Sequence, residues 1–186
     1  MNRDNRVLER KSIRLKNYDY TKHNGYFITI CVQDMESIFG VIKDNKVILN
    51  ELGNRANEFW LEIPKHFHNV VIDQYVIMPN HIHGIIGIID DFFLKKSSVG
   101  VQYIEPRLSK FQGTVKGSIG SIIRSYKASV TRWANLKEFR FKWQRNYYDR
   151  IIRTEKELEN IRGYIFYNPL KWYYEHGTQI DAIFEK

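Results

Sequence analysis

Residues 70–89 read VVIDQYVIMPNHIHGIIGII, an apolar run that Pro79 and Asn80 interrupt once. The many β-branched residues predict two core strands joined at this interruption. His81 and His83 follow it, and residues two apart on a strand point to the same face. Buried polar groups cost free energy unless they are satisfied, so the pair is a candidate ligand set for one divalent metal ion. The alternative is a pair of surface histidines on a half-exposed strand.

The composition favours a basic, globular protein with an acidic partner. The 186 residues include 29 Lys and Arg against 21 Asp and Glu, a formal net charge of +8, and 43% are hydrophobic. This charge favours nucleic acid, although it is a weak signal by itself. The one cysteine, Cys31, excludes an intrachain disulfide. The sequence has no bilayer-spanning apolar stretch and no signal-peptide pattern at its N-terminus, so we expect no membrane partner and a cytoplasmic, nucleoid-associated protein.

The order of predicted elements indicates a single domain. We expect a basic N-terminal arm over residues 1–24, one domain over 25–175 with a long loop at 90–117, and a C-terminal tail over 176–186. Strands are predicted at 26–32 and 139–152, with a hairpin over 37–49 that turns at 44–45. Strands with helices between them, and no glycine-rich nucleotide loop, favour an α+β fold with a mostly antiparallel sheet.

Three helices have recognisable start signals. Asn50 and Ser118 are candidate N-caps of the first two, and Thr154 with a glutamate three residues later forms a capping box for the third. We expect the third helix to end near Asn168, because a proline at 169 disfavours helical backbone in the residue before it. On this helix Tyr164 and Asn168 are four residues apart and share one face.

Two histidine pairs have to be distinguished. His66 and His68 lie in a connecting segment after a helix, where solvated imidazoles carry no cost, so we assign them no role. His81 and His83 lie in a predicted core strand. On spacing alone, Tyr164 is a candidate nucleophile and Asn168 a candidate oxygen ligand. Tyrosines are plentiful, however, and Asn before Pro is an ordinary helix terminator.

Two motifs carry a resemblance to a known family. MPNHIHGII at 78–86 and WQRNYYDRIIRTEKELENIRGYIFYNPLKW at 143–172 resemble the single-tyrosine HUH transposases, in particular their REP-associated tyrosine transposase (RAYT) branch. In that branch a histidine pair follows a Met-Pro-Asn turn, and a Tyr-x-x-x-Asn motif ends in Asn-Pro. The resemblance extends over about residues 10–172, and both motifs have the family's order and spacing.

The resemblance implies a fold, a site and a reaction. The fold would be a ferredoxin/RRM-like HUH domain with a central, mostly antiparallel sheet and helices packed on it. His81, His83 and Asn168 would hold Mg²⁺ or Mn²⁺, and Tyr164 would be the nucleophile. The activity would be cleavage and rejoining of single-stranded or hairpin DNA through a 5′-phosphotyrosine. Family members act as monomers or homodimers. The alternative is a catalytically inactive, domesticated nucleic-acid-binding module of the same fold.

DNA binding also requires basic and aromatic side chains along the path of the strand. We name four candidates, Arg124, Lys127, Arg145 and Tyr147; the alternative for each is that it belongs to a solvated face.

Overall fold

The computed structural model describes residues 19, 21–89 and 117–184. Most of the predicted N-terminal arm and of the 90–117 loop therefore lies outside the described residues. The strands are β1 (Asn24–Cys31), β2 (Gly40–Lys43), β3 (Lys46–Leu49), β4 (Val70–Ile77), β5 (His81–Ile88) and β6 (Tyr148–Ile152). The helices are α1 (Glu51–Leu61), α2 (Ile63–His66), α3 (Ile119–Leu136) and α4 (Glu155–Phe184).

The main sheet has four strands in the order β4-β5-β1-β6, and every neighbouring pair is antiparallel. This confirms the predicted α+β fold with a central antiparallel sheet. β5, which begins with the histidine pair, is an interior strand between β4 and β1. A separate hairpin pairs β2 with β3, and its turn residues Asp44 and Asn45 have φ values of 50° and 60°. Asn and Asp tolerate this left-handed backbone, which a tight hairpin turn requires.

One face of the sheet is covered by α1 and α3. Alternate residues of β1 and β5 point into this core, where α1 contributes Trp60 and α3 contributes Ile122 and Val130. Both helices begin as predicted. The Asn50 side chain accepts a hydrogen bond from the Gly53 N–H, and the Ser118 side chain caps α3 in the same way. This layer forms the larger hydrophobic core.

The opposite face is covered by α4. Ile85 points to this side of β5, and it forms a second buried cluster with Ile152 of β6 and with Ile161 and Ile165 of α4. Because side chains alternate along a strand, His81 and His83 share the face of Ile85. The packing of α4 on this cluster therefore places one face of the helix directly over the two histidines.

Two predicted boundaries are wrong. The last helix does not stop near Asn168 but continues through Pro169 to Phe184, so residues 176–184, assigned to a tail, are helical. Contacts of α4 with β2, β3 and β4 outweigh the local cost of the proline. The strand predicted over 139–152 is confined to Tyr148–Ile152, and the part before it pairs only through an isolated bridge from Val32 to Trp143.

Within the described part of the chain, no helix is both long enough and apolar enough to cross a bilayer.

Two glycines offer a matched test of the packing. A Cβ at Gly84 would lie 2.3 Å from the fully buried ring of Trp60, whereas a Cβ at Gly163 on α4 meets nothing within 4 Å. We expect Gly84→Ala to destabilise the protein by about 1–3 kcal/mol, because the core has no room for the methyl group. Gly163→Ala should stabilise it by about 1 kcal/mol through helix propensity. Urea unfolding measures both, and equal effects of the two substitutions would contradict the described packing.

Candidate metal and nucleophile site

The two histidines lie side by side at the start of β5. The Pro79-Asn80 link directs the chain from β4 into β5, and the two imidazole rings that follow are 4.5 Å apart between centroids. His81 is 8% exposed and His83 is 6% exposed. The pair is thus buried rather than on a half-exposed strand, which excludes the surface alternative.

Each imidazole is held at Nδ1 by a neighbouring side chain. Asn80 Oδ1 lies 2.6 Å from His81 Nδ1, and Thr29 Oγ1 lies 2.9 Å from His83 Nδ1. Thr29 is the cross-strand partner of His83 on β1. The Nε2 atom of His83 faces α4.

α4 brings the two other predicted site residues to the pair. The Tyr164 hydroxyl lies 3.3 Å from His83 Nε2, and the Asn168 side chain hydrogen-bonds to His81. Asn168 is 6% exposed and Tyr164 is 43% exposed, so the amide is enclosed while the hydroxyl-bearing ring stays accessible. The ring of Phe27 stacks on His83 and meets Tyr164 edge-on. The four residues that the sequence singled out therefore meet in one place, within one chain.

Burial sets the protonation of the pair. It lowers the pKa of His81 to about 4, a shift that the hydrogen bond between His81 and Asn168 partly opposes. Burial, together with the neighbouring His81 charge, lowers the pKa of His83 to about 3. Both imidazoles are therefore neutral near pH 7. Neutral imidazole is the form that binds metal ions.

An ion pair fixes α4 on the sheet nearly two turns before Asn168. The Nε of Arg162 donates to both carboxylate oxygens of Asp73, at 3.1 and 3.2 Å, and a terminal nitrogen adds a further hydrogen bond. The guanidinium keeps the pKa of Asp73 below its usual value. Asp73 lies at the irregularity of β4, where the pairing register shifts between Ile72 and Tyr75. The bulge thus aims a carboxylate at the helix two residues before Tyr164.

The donor set fits a divalent metal ion. The site offers three neutral ligands: the two imidazoles, whose Nδ1 atoms are already in contact with other side chains, and the amide oxygen of Asn168. This set is compatible with Mg²⁺ or Mn²⁺ when phosphate and water supply the remaining oxygen ligands. Among the described residues, no group of three or more His, Cys, Asp or Glu side chains is arranged to hold a metal ion. Asn168 is therefore required to complete a three-ligand site from the side chains in place.

The candidate DNA-binding residues do not lie at this site. Arg124 and Lys127 belong to α3, which covers the opposite face of the sheet. Lys127 Nζ donates to the carbonyls of Gln144 and Asn146, so it holds the loop that carries Arg145. Burial of this ammonium lowers its pKa to about 8.

Tyr147 is 9% exposed and belongs to the core. Lys127 is partly buried, and contact of either side chain with DNA stays a prediction. Arg124 and Arg145 are exposed, and their contact with DNA stays a prediction.

Three neighbours of the site were not singled out from the sequence. Trp172 lies 5.9 Å from His81 between ring centroids. It follows Tyr164 by eight residues on the same helical face. This spacing could have indicated Trp172 only if the predicted helix had extended beyond Pro169. The contacts of Asn80 and Thr29 with the imidazoles depend on the geometry of the turn and on the strand register, and the spacing of residues in the sequence predicts neither.

Comparison with known proteins finds two similar sequences. No protein-family model matches it. It is 46% identical over 167 residues to an uncharacterised protein of Haemophilus influenzae, a match covering 89% of this chain and 91% of that protein. It is 26% identical over 163 residues, 84% of this chain and 77% of the relative, to an H. influenzae protein named "Putative REP-associated tyrosine transposase".

A solved structure shows the same fold. It is that of a REP-associated tyrosine transposase bound to a REP hairpin, with a TM-score of 0.56 and 18% identity, covering 85% of this chain and 73% of that chain. The chain is thus similar in sequence to one protein named as a REP-associated tyrosine transposase and has the fold of another. His66 and His68, to which no role was assigned, are both exposed.

The pKa shifts predict how the stability of this protein depends on pH. Below about pH 6.5 the unfolded chain binds protons at His81 and His83 that the folded protein does not. The free energy of unfolding in EDTA should therefore fall as the pH is lowered from about 6.5 to 5, by up to about 1.4 kcal/mol per pH unit for each histidine. The double variant His81→Gln, His83→Gln should lose most of this slope. A wild-type slope no steeper than that of the double variant would contradict the buried, neutral pair.

Proposed function

We propose that this protein is a metal-dependent single-stranded DNA endonuclease and transposase. It cleaves and rejoins DNA by transesterification through a 5′-phosphotyrosine intermediate. The observation that carries the proposal is the position of the Tyr164 hydroxyl, 3.3 Å from His83 Nε2 on the side of the pair where Asn168 also lies. A nucleophile and three potential metal ligands converge there, with the nucleophile exposed to a substrate.

The reaction follows from these groups. A divalent cation held by His81, His83 and Asn168 would neutralise charge on the scissile phosphate, which favours attack by an oxygen nucleophile. The Tyr164 oxygen loses its proton to solvent and attacks phosphorus, the bond from phosphorus to the 3′ oxygen breaks, and this oxygen takes up a proton to become a free 3′-OH. The phosphotyrosine retains the ester bond, so a second 3′-OH can displace Tyr164 and rejoin DNA without a nucleotide cofactor.

Single-stranded or hairpin DNA is the proposed substrate. A family member of the same fold has been solved bound to a REP hairpin. The net charge of +8 favours a polyanion. After Tyr164, α4 exposes the aromatic rings of Phe166, Tyr167 and Tyr174, which are 65%, 60% and 74% accessible. Unpaired bases stack on such rings with about 1–3 kcal/mol each, whereas bases inside a duplex cannot.

The proposed attack takes place within one chain. His83 and Tyr164 of the same molecule are already in contact, and the Arg162–Asp73 ion pair holds their elements together. A second subunit is therefore not needed to complete the site.

Covalent trapping tests the proposal. The protein is incubated with labelled single-stranded hairpin oligonucleotides and Mg²⁺ or Mn²⁺, and the adduct is resolved on a denaturing gel. We expect an adduct with wild-type protein that EDTA prevents. Tyr164→Phe should abolish it, because only the attacking oxygen is removed. Tyr167→Phe is the matched control, since Tyr167 is three residues away and turned to solvent, and it should form the adduct.

Mixing variants tests attack within one chain. Neither Tyr164→Phe nor His81→Gln should form an adduct alone, and their mixture should stay inactive. Restored adduct in the mixture would show that the helix acts on a partner's histidines. Hairpin binding without any adduct in wild-type protein would instead support the inactive binding module.

A further inference from the structure

The Pro79-Asn80 link before the histidine pair contains a buried polar side chain that the proposed reaction does not use. Asn80 is 4% exposed, and both ends of its amide are engaged. Its Nδ2 donates to the Met35 carbonyl at 3.0 Å, and its Oδ1 lies 2.6 Å from His81 Nδ1. Asn80 therefore connects the turn after β1 to the first residue of the histidine pair.

These two contacts select the position of the His81 proton, whereas the amide of Asn168, the other side-chain partner of His81, can present either its oxygen or its NH₂ group. A backbone carbonyl only accepts hydrogen bonds, so the amide group that faces Met35 must be the NH₂ group. The amide oxygen then faces His81, and it also only accepts. The His81 nitrogen in contact with it, Nδ1, must therefore carry the ring proton. In a neutral imidazole the other nitrogen, Nε2, is then left with its lone pair.

We propose that Asn80, oriented by the Met35 carbonyl, is a positioning residue that fixes the proton of His81 on Nδ1 and so keeps Nε2 available as a metal ligand. This inference rests on the proposed function for its purpose, but its geometry is independent of any reaction. It extends the site to the turn Gln33–Met35, which lies far from the histidines in the sequence.

The backbone around this turn supports the assignment. Asp34 and Met35 both have a φ of 56°, left-handed conformations that cost energy in residues other than glycine. The turn is cross-linked to the Pro79-Asn80 link, since the Val32 N–H donates to the Asn80 carbonyl at 2.9 Å. The N–H groups of Ile38 and Phe39 donate to the Pro79 carbonyl at 2.9 and 3.0 Å. The surrounding structure thus holds the Met35 carbonyl in a fixed direction.

His83 provides an internal comparison. Its Nδ1 contacts the hydroxyl of Thr29, which can donate or accept, so this contact alone does not select a tautomer. Thr29 is also only partly buried, and water can take its place. The amide oxygen of Asn80, in contrast, can only accept, and its burial excludes replacement by water. Loss of Asn80 should therefore disturb its histidine more than loss of Thr29 disturbs His83.

The experiment measures the tautomer and the metal affinity separately. Long-range ¹H–¹⁵N correlation spectra of metal-free, ¹⁵N-histidine-labelled protein report which ring nitrogen carries the proton, with His81 assigned by His81→Gln. Mn²⁺ affinity is measured by titration of the protein with Mn²⁺ alone. In wild type we expect the proton on Nδ1 of His81. Asn80→Ala should lose this single tautomer and weaken Mn²⁺ binding roughly 10–100-fold. Thr29→Val should weaken it less.

Asn80→Asp separates positioning from folding. Its carboxylate still accepts from His81 Nδ1 but faces the Met35 carbonyl without a proton to donate. We expect the wild-type tautomer and at least wild-type Mn²⁺ affinity, together with a lower melting temperature. A purely structural role predicts that Mn²⁺ affinity falls with stability in both variants.

Three results would overturn the inference: a wild-type His81 protonated on Nε2, an Asn80→Ala variant with unchanged tautomer and affinity, or an Asn80→Asp variant that loses the tautomer. If Asn80→Ala does not fold, the His81 tautomer and the Mn²⁺ affinity of the wild-type protein and of Asn80→Asp test the inference. A protein that has the Nδ1 proton and binds Mn²⁺ but forms no DNA adduct would contradict the proposed function and leave this inference standing.

Discussion

The packing of α4 on the second face of the sheet is the constraint on which the site depends. Ile161 and Ile165 are buried against β5 and β6, and their burial fixes the rotation of the helix about its axis. Tyr164 and Asn168 each follow one of these anchors by three residues, so the same rotation directs them at the histidine pair. A change of one residue in the helical register would turn both side chains away by about 100°. The burial of Ile161 and Ile165 therefore positions the side chains of Tyr164 and Asn168.

The surroundings of β5 show how the imidazoles of His81 and His83 can be buried. The strand is covered on both faces, by α1 and α3 on one side and by α4 on the other, so any polar side chain on it has to be satisfied by the protein or by a ligand. Asn80 and Thr29 each contact the Nδ1 atom of one imidazole, and α4 adds the contact of Tyr164 with His83 Nε2. The arrangement is set by the folded chain, which limits the reorganisation that metal binding would require.

The features that sequence reasoning could predict were those with a local period or a local chemical signal. Alternation along a strand placed His81 and His83 on one face, and helical spacing placed Tyr164 and Asn168 together. The features that were missed depend on contacts distant in sequence. Thr29 is known only from the register of β1 on β5. The course of the helix beyond Asn168 is decided by tertiary contacts of α4 that outweigh the preference of a residue before proline.

In the proposed function, the packing of α4 completes a three-ligand metal site beside the nucleophile. The most direct measurement is anomalous diffraction from crystals of the wild-type protein grown with Mn²⁺. A peak bounded by the imidazoles of His81 and His83 and the side-chain oxygen of Asn168, with Tyr164 of the same chain adjacent, is the predicted result. Mn²⁺ bound elsewhere, or bound by the histidines with Asn168 turned away, would contradict the account.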